Sequence, residues 1–466
     1  MTQHSPSDGP PRKVYIQTFG CQMNEYDSAK LQEQLRQQGY RAVSEPREAD
    51  LILVNTCAIR EKSEHKVYSL LGRLSGIKQA RPEVRLGVGG CVAQQKGEEI
   101  LRRVPAVDLV FGPDNLFEVP ALLAQVEQGQ RVAHAQFHGR KTRVENFIPD
   151  FGPLPGDEAA PIKAQLAITK GCNNFCTFCV VPHTRGREVS REPDNILAEA
   201  RRLAEQGVKE LTLLGQNVNS YRAGGADFVD LLRRVDAIPG IPRLRYTSPH
   251  PKDFDERLAQ AHAELPSLCE HLHLPFQAGA DRILKAMRRN HTAADYLEKL
   301  ALARRHVPEI AISTDIIVGF PGETEADFQE TLAVMRAARF DHIYAFKFSA
   351  RHDTPARDYA DQVPEAEKAD RLARLHDLHE SILTEHNRQA LGTTMEVLLE
   401  GPHPRDRGAM TGRSRTNKPV TVIDCAAPAG ALVETEIVAT RKFSLVAREP
   451  HGRRSVHPDA GVPARS

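Results

Sequence analysis

From residue 13 to residue 120 short apolar runs alternate with amphipathic stretches. VYIQTFG, DLILVNT, VRLGVGG and VDLVFG read as strands, and the intervals between them repeat apolar positions at helical spacing. Strand and helix in strict alternation predict an open, mostly parallel α/β domain, placed at 12–129. The first three of these runs each end in a cysteine: Cys21, Cys57 and Cys91, 36 and 34 residues apart, about one strand-helix unit each time. Three thiols are therefore expected together at the carboxyl edge of the sheet, where open α/β sheets place their ligands.

The stretch 145–161, NFIPDFGPLPGDEAAPI, has no period and is rich in Pro, Gly and acids, as an interdomain linker would be. A second domain, 158–390, shows six strand candidates: QLAIT, KELTLLG, RLRYT, EHLHLPF, AISTDIIVGF and HIYAFKF. Helical patterns lie between them at 194–206, 281–288, 294–306 and 324–338. Six βα units are too few for an eight-stranded barrel, so a partial, open (βα)6 barrel is predicted, with function at the carboxyl ends of its strands. From 391 to 452 the pattern changes to short β runs, MEVLLEG, PVTVID and LVETEIVAT, predicting a small antiparallel β module. Residues 453–466 have little to bury and are expected to be disordered.

Composition narrows the chemistry. The chain has 466 residues and eight cysteines, begins with a polar, Pro-rich dozen, and contains no run of eighteen apolar residues. Neither export nor membrane spanning is indicated, so a cytoplasmic protein with reduced thiols is expected, and clustered cysteines then bind metal or react. The net charge is only +1, which is no overall signature of nucleic-acid binding, yet residues 401–466 carry eleven Lys or Arg against six Asp or Glu. Within that end, Arg405, Arg407, Arg413, Arg415 and Lys418 fall in fourteen residues and form the candidate RNA contact. A solvated β surface is the plainer reading.

The segment QLAITKGCNNFCTFCVVPHTRGREVSREP sets Cys172, Cys176 and Cys179 in a C-x3-C-x2-C loop directly after a strand. Three ligands in eight residues wrap one small inorganic object. Tetrahedral zinc wants a fourth ligand, for which only His183 is near, and a disulfide leaves one thiol over. A four-iron cluster with three cysteines keeps one iron open to substrate.

This motif, after the first strand of a partial βα barrel, resembles the radical-SAM superfamily. The resemblance implies a [4Fe–4S] cluster whose free iron chelates S-adenosylmethionine and, given an electron, cleaves it to methionine and a 5′-deoxyadenosyl radical. The words GCQMNEYDS, NTCAIREKSEHKVYS and GCVAQQ around Cys21, Cys57 and Cys91 resemble the amino-terminal domain of the methylthiotransferases, in which those cysteines hold an auxiliary [4Fe–4S] cluster. The likeness runs from about 12 to 452, and its terminal module resembles the RNA-binding TRAM domain. Cys269 and Cys425 have no partners at ligand spacing and are read as packing residues.

CTFCVVPHTRGREVSR, LLGQNVNSY, HLPFQAGADRILKAMRRNHT and STDIIVGFPGETEADF are similar to the bacterial, MiaB-type branch that modifies tRNA, with small departures such as His183 and Phe276. That branch implies methylthiolation at C2 of N6-dimethylallyladenosine at position 37, beside the anticodon. S-adenosylmethionine would be both methyl donor and radical source. Threonylcarbamoyladenosine or a ribosomal-protein aspartate as substrate, and a non-catalytic zinc protein that binds RNA, remain as alternatives. Gly215 and Gln216, His273 and Gln277, and Ser313 and Asp315 are expected near the cosubstrate or substrate, at or near strand ends. Arg185 and Arg187 are candidates for a carboxylate or phosphate. The implied partners are a tRNA anticodon stem-loop, a low-potential electron donor such as flavodoxin or ferredoxin, and a sulfur source. No membrane is expected to take part, and a monomer is the default.

Overall fold

Leu51–Thr56 is a strand whose six residues are all buried, because it is covered on both faces. Leu51 and Leu53 pack against Leu31, Leu35, Leu122 and Leu123 on one side, while Ile52 and Val54 pack against Val67, Leu71, Leu74 and Ile100 on the other. Period-two alternation thus serves two helical layers at once. In the computed structural model, which describes residues 11–58, 61–137 and 161–450 (side chains of 61–65 excepted), this strand is β3 of a six-stranded parallel sheet. Its fellows are β1 (Arg12–Thr18), β2 (Tyr40–Ala42), β4 (Arg85–Gly90), β5 (Leu109–Phe111) and β6 (Val132–His134), in the order β2-β1-β3-β4-β5-β6. Helices α1 (Gln22–Gln37), α2 (Glu61–Ala80), α3 (Cys91–Arg103) and α4 (Val119–Glu127) cover it. Neither β2 nor β6 stands out in the sequence, since three residues are too short to show a period. The expected linker lies outside the described residues but for its last, and the expected tail at 453–466 lies wholly outside them.

The six expected barrel strands all form, with short ladders in the loops between them. They are β7 (Lys163–Ala167), β10 (Glu210–Leu214), β13 (Arg243–Tyr246), β14 (His271–His273), β15 (Ala311–Val318) and β16 (His342–Lys347). The loops carry the two-residue pairs β8 (Thr169–Lys170) with β9 (Val189–Ser190), and β11 (Arg222–Ala223) with β12 (Ala226–Asp227). The order is β7-β10-β13, then β14-β15-β16, all parallel, and a parallel bridge between Leu244 and Leu268 joins the halves. Outward positions such as Leu211, Leu213, Leu244, Leu272 and Ile312 form one apolar core with α6 (Pro193–Glu205), α7 (Phe228–Asp236), α8 (Glu256–Glu264), α10 (Ala293–His306) and α11 (Glu325–Ala338). The alternate, inward positions are polar: Gln165, Thr212, Arg245, His271 and Asp315. A lumen that never closes stays wet, and its lining follows.

Two short helices also belong to the domain, α5 (Val181–Thr184) in the cysteine loop and α9 (Asp281–Ala286). The 25-residue α12 (Glu365–Gln389), which the sequence reading did not single out, packs on β16 and leads into the terminal module. That module is a closed barrel of β17 (Thr394–Pro402), β18 (Met410–Ser414), β19 (Pro419–Ile423), β20 (Leu432–Thr440) and β21 (Leu445–Arg448). It has two strands more than expected, and β19 pairs with β21 in parallel, so the module is not purely antiparallel.

The module is seated on the barrel by arginines. Arg243, with no exposed surface, donates to Glu396 Oε1 (2.8 Å) and to the carbonyl of Arg413 (2.7 Å). Arg245 donates to the carbonyls of Ser414 (2.9 Å) and Arg415 (2.8 Å) and to Glu210 (2.9 Å). Arg243→Ala removes these bonds and leaves a gap where the buried guanidinium sat, so it should destabilise the docked module by about 1–3 kcal/mol. Urea unfolding followed by limited proteolysis near residue 391 should then show the module detaching before the barrel melts.

Candidate active site between two cysteine sets

The three cysteine-bearing strands, β1, β3 and β4, are neighbours in the sheet because β2 is displaced to the edge. Cys21 is the N-cap of α1, Cys57 follows β3 directly, and Cys91 opens α3. Tight turns make this possible. Gly20 has φ +117, and a Cβ on it would lie 2.6 Å from Cys57 Sγ; Gly90 has φ +92, and a Cβ there would meet the Thr56 carbonyl at 2.3 Å. Side chains tie the strand ends together. Asn24 Nδ2 donates to the carbonyls of Phe19 (2.7 Å) and Thr56 (2.9 Å), and Thr56 Oγ1 donates to the Gly89 carbonyl (2.6 Å).

The second set lies beyond β8. Gly171 (φ +76) lets the chain pass so close to Arg187 that a Cβ would fall 2.1 Å from its carbonyl oxygen. Gln216 Oε1 accepts from the Gly171 amide (2.5 Å) and pins the turn that begins the loop. Cys172 and Cys176 are buried and Cys179 partly so, with Thr177 anchored to the carbonyls of Ala286 (2.9 Å) and Met287 (3.1 Å). Arg289 Nη1 stands 3.8 Å from Cys176 Sγ.

Gly215 and Gln216 lie between the turn that begins the second cysteine loop and the cysteine end of the sheet. They line a cavity of about 180 Å³ together with Cys21 and Cys91 from the sheet and Val181 and Arg185 from the cysteine loop. Arg185, buried, donates 2.7 Å bonds to Asn24 Oδ1 and Asp27 Oδ2, so its guanidinium is engaged within the protein. Arg187 instead lies exposed over the Phe175 ring, at 4.1 Å. Lys170 pairs with Asp114 and adds a second tie between the domains.

The other expected site residues separate into groups. His273, Ser313 and Asp315 come together inside the barrel. Ser313 Oγ is 3.0 Å from both His271 Nε2 and His273 Nδ1, and His273 Nε2 is 3.5 Å from Asp315. Gln277 (φ +73) is held by its backbone, donating to Asp315 (3.0 Å) and accepting from Ile317 (2.9 Å). Phe276 is core, stacked on Phe340.

The five terminal cations do not form one patch. Arg405 and Arg407 are exposed, whereas Arg415 is spent on Glu270 (2.8 Å) and on the carbonyls of Pro266 and Leu268 (3.0 Å each). Arg413 bonds the Asn417 carbonyl (3.0 Å), and burial lowers the pKa of Lys418 near Asp341. Cys269 is buried and Cys425 donates to Glu449 (3.3 Å), away from both sets.

The donor chemistry fits iron–sulfur clusters. None of the six cysteines is in a disulfide. Hydrogen bonding with Cys57 pulls Cys21 down to about 6 against its burial, helped by the Arg185 charge, while burial pushes Cys91 up, Cys172 up and Cys179 up to about 12. Buried thiols become stable thiolates when a cationic metal core meets them, and loading releases their protons. Among the described residues no three His, Cys, Asp or Glu side chains converge as a single ion requires, and His183 is exposed. Around the mouth, Thr169 Oγ1, Asn174 Oδ1, Gln216 Nε2, Asn217 Oδ1, His250 Nε2 and Arg289 Nε are buried without hydrogen-bond partners, as in a cleft meant for a polar ligand.

Residues 13–112 match the family described as the uncharacterized protein family UPF0004, and residues 166–335 match the radical SAM superfamily. A tRNA-2-methylthio-N(6)-dimethylallyladenosine synthase of Syntrophobacter fumaroxidans is 47% identical over 442 residues, covering 93% of this chain and 95% of the relative. One of the same name from Bdellovibrio bacteriovorus is 44% identical over 450 residues, covering 96% and 97%. The chain belongs to this family of synthases. The radical S-adenosylmethionine methyltransferase TsrM from Kitasatospora setae, solved with cobalamin and a [4Fe–4S] cluster, is similar with TM-score 0.57 and 15% identity over 74% of this chain and 77% of that one. The cobalamin-dependent radical enzyme OxsB follows with TM-score 0.52 and 11% identity, covering 80% and 56%. At those identities the likeness is one of fold. In this synthase-family chain the two matched spans carry one cysteine set each.

Sequence reasoning missed Asn24, Asp27, Thr56 and Arg289. Asn24 and Asp27 lie three and six residues beyond Cys21 on α1, a helical spacing that was there to be read. Gly90→Ala should force β3 and β4 apart at their cysteine ends. After anaerobic iron–sulfide reconstitution it should bind roughly half of the wild-type iron, since one of two four-iron sites is lost; iron analysis with a folded circular-dichroism spectrum checks this.

Proposed function

We propose that this chain is a radical-SAM enzyme that adds a methylthio group to C2 of N6-dimethylallyladenosine at position 37 of tRNA, beside the anticodon. The observation that carries the reading is the cavity that Cys21 and Cys91 line together with Val181, Thr184 and Arg185 just beyond the second cysteine set, in a chain 44–47% identical to tRNA-2-methylthio-N(6)-dimethylallyladenosine synthases over nearly its whole length. Cys172, Cys176 and Cys179 hold one [4Fe–4S] cluster with an open iron, and Cys21, Cys57 and Cys91 hold the auxiliary one. When bound, the clusters supply one-electron cleavage of S-adenosylmethionine and a place for the sulfur that a second S-adenosylmethionine methylates.

The chain's own residues bind and orient. Gly215 leaves room beside Thr169, where a Cβ would fall 2.0 Å from Oγ1, and the free Nε2 of Gln216 faces the cosubstrate cleft. His273, Gln277, Ser313 and Asp315 line the deeper, substrate side. Arg405 and Arg407, exposed on the loop between β17 and β18, contact RNA phosphates, which position the stem-loop without reading its sequence. The amino-terminal unit, 12–129 with the adjoining β6, manages sulfur; 158–390 makes the radical; 391–452 holds RNA. An aryl C–H is too weak an acid for polar catalysis, which is the chemical reason for a radical route. An external electron donor such as flavodoxin or ferredoxin and a sulfur source complete the cycle in the cytoplasm, with the enzyme acting as a monomer. Among the described residues no helix is long and apolar enough to cross a membrane.

Cys176→Ala should abolish reductive cleavage of S-adenosylmethionine. Cys57→Ala should retain cleavage and lose methylthiolation. Mass spectrometry of tRNA nucleosides and 5′-deoxyadenosine assays separate the two; equal loss of cleavage in both variants, with the first cluster intact, would refute the division of labour.

A further inference from the structure

A second, longer space opens from the same site. A groove of about 790 Å³ runs between α1 and the inner face of the barrel, from Gln22, next to Cys21, down to Arg413 of the module. Gln22 and Thr247 line both the groove and the smaller cavity, so the groove leads to the space that Cys21 and Cys91 line. Its volume lies in the range of ligand sites and is ample for a nucleoside.

Four tyrosines line it. Tyr26, Tyr40 and Tyr246 are buried, while Tyr344 is 45% exposed. Tyr344 is an inward position of β16, in register with Asp315 of β15. In a closed barrel such a ring would be packed in a layer of side chains. Here the lumen is open, yet the ring is firmly held: His273 meets it at 5.7 Å and 76°, and His342 at 4.6 Å and 77°, both edge-on. His273 is itself fixed by Ser313. A large apolar face, braced on two sides and left to solvent in the groove that leads to the clusters, is surface reserved for a flat partner.

The geometry points to Tyr344 as the residue that stacks on the target adenine when that base leaves the anticodon loop and enters the barrel, with His273 and Asp315 beside it to meet the polar edge of the base. The assignment rests on the proposed activity on tRNA. Unstacked bases of single-stranded RNA are bound on aromatic side chains in this way, and the N6-dimethylallyl group adds apolar surface that the same ring covers. An aspartate side chain of a protein substrate would offer no face to such a ring.

The test uses reconstituted holoenzyme and two anticodon stem-loop RNAs, one with N6-dimethylallyladenosine at the target position and one abasic there. Wild type should form product on the first and bind it more tightly than the second. Tyr344→Leu, which stays apolar but has no π face, should weaken binding of the base-bearing RNA by about five- to a hundred-fold and leave the abasic RNA unchanged, while Tyr344→Phe keeps the preference. The chain contains no tryptophan, so Tyr344→Trp gives a single reporter whose emission should change with the base-bearing RNA and not with the abasic one. No product from wild type would remove the proposed activity and the stacking role with it. Product from wild type together with an undiminished preference in Tyr344→Leu, or a Tyr344→Trp signal indifferent to the base, would overturn the role of Tyr344 alone.

Discussion

Arg185 is the interaction on which the site depends. It leaves the cysteine loop of the barrel two residues after His183 and buries its guanidinium in the amino-terminal domain, on Asn24 and Asp27 of α1. Burial works against its charge, but Asp27 and the thiols of Cys91 and Cys21 outweigh it and hold the guanidinium protonated. Breaking one member of such a buried pair costs about 3–5 kcal/mol. The segment that follows the second cysteine set is therefore fixed against the cysteine-bearing end of the amino-terminal sheet. Lys30 with Glu199, 2.7 Å apart, repeats the tie further along α1 and draws that helix onto α6.

From that constraint the rest of the architecture follows. With α1 laid along the open side of the barrel, the polar inner face of the strands becomes one wall of a groove instead of a solvent-filled trough. The terminal module closes the other end: Arg243 and Arg245 take carbonyls at the end of β18 and the start of the turn after it, which fixes the module on the barrel. A modifying enzyme that must bring one base of a folded RNA between two reactive centres needs such rigidity. Its contacts are accordingly charged side chains on carbonyls and carboxylates rather than loose surface pairs.

The sequence announced much of this and hid the rest for identifiable reasons. The six barrel strands and the strand-end cysteines were legible because period-two and strand-helix alternation are local signals. That β1, β3 and β4 are adjacent was not, since it depends on the three-residue β2 taking the edge. The basic cluster at 405–418 read as one RNA patch because charge density is local, whereas its sorting depends on partners such as Glu270, 145 residues from Arg415. Arg185 and Asp27 are 158 residues apart, and no spacing rule links them. Tyr344 sits in a strand that was easy to find; its exposure follows only from the barrel remaining open.

The central claim is that two iron–sulfur clusters, held on domains that Arg185 locks together, work on one substrate. Electron paramagnetic resonance of the fully reduced holoenzyme tests this most directly, by asking whether the two paramagnetic centres interact. The account predicts spectra broadened by coupling between the clusters, reverting to an isolated signal when Cys21, Cys57 and Cys91 are all replaced by Ala. Two independent signals that simply add, or a single cluster in the wild-type protein, would contradict it.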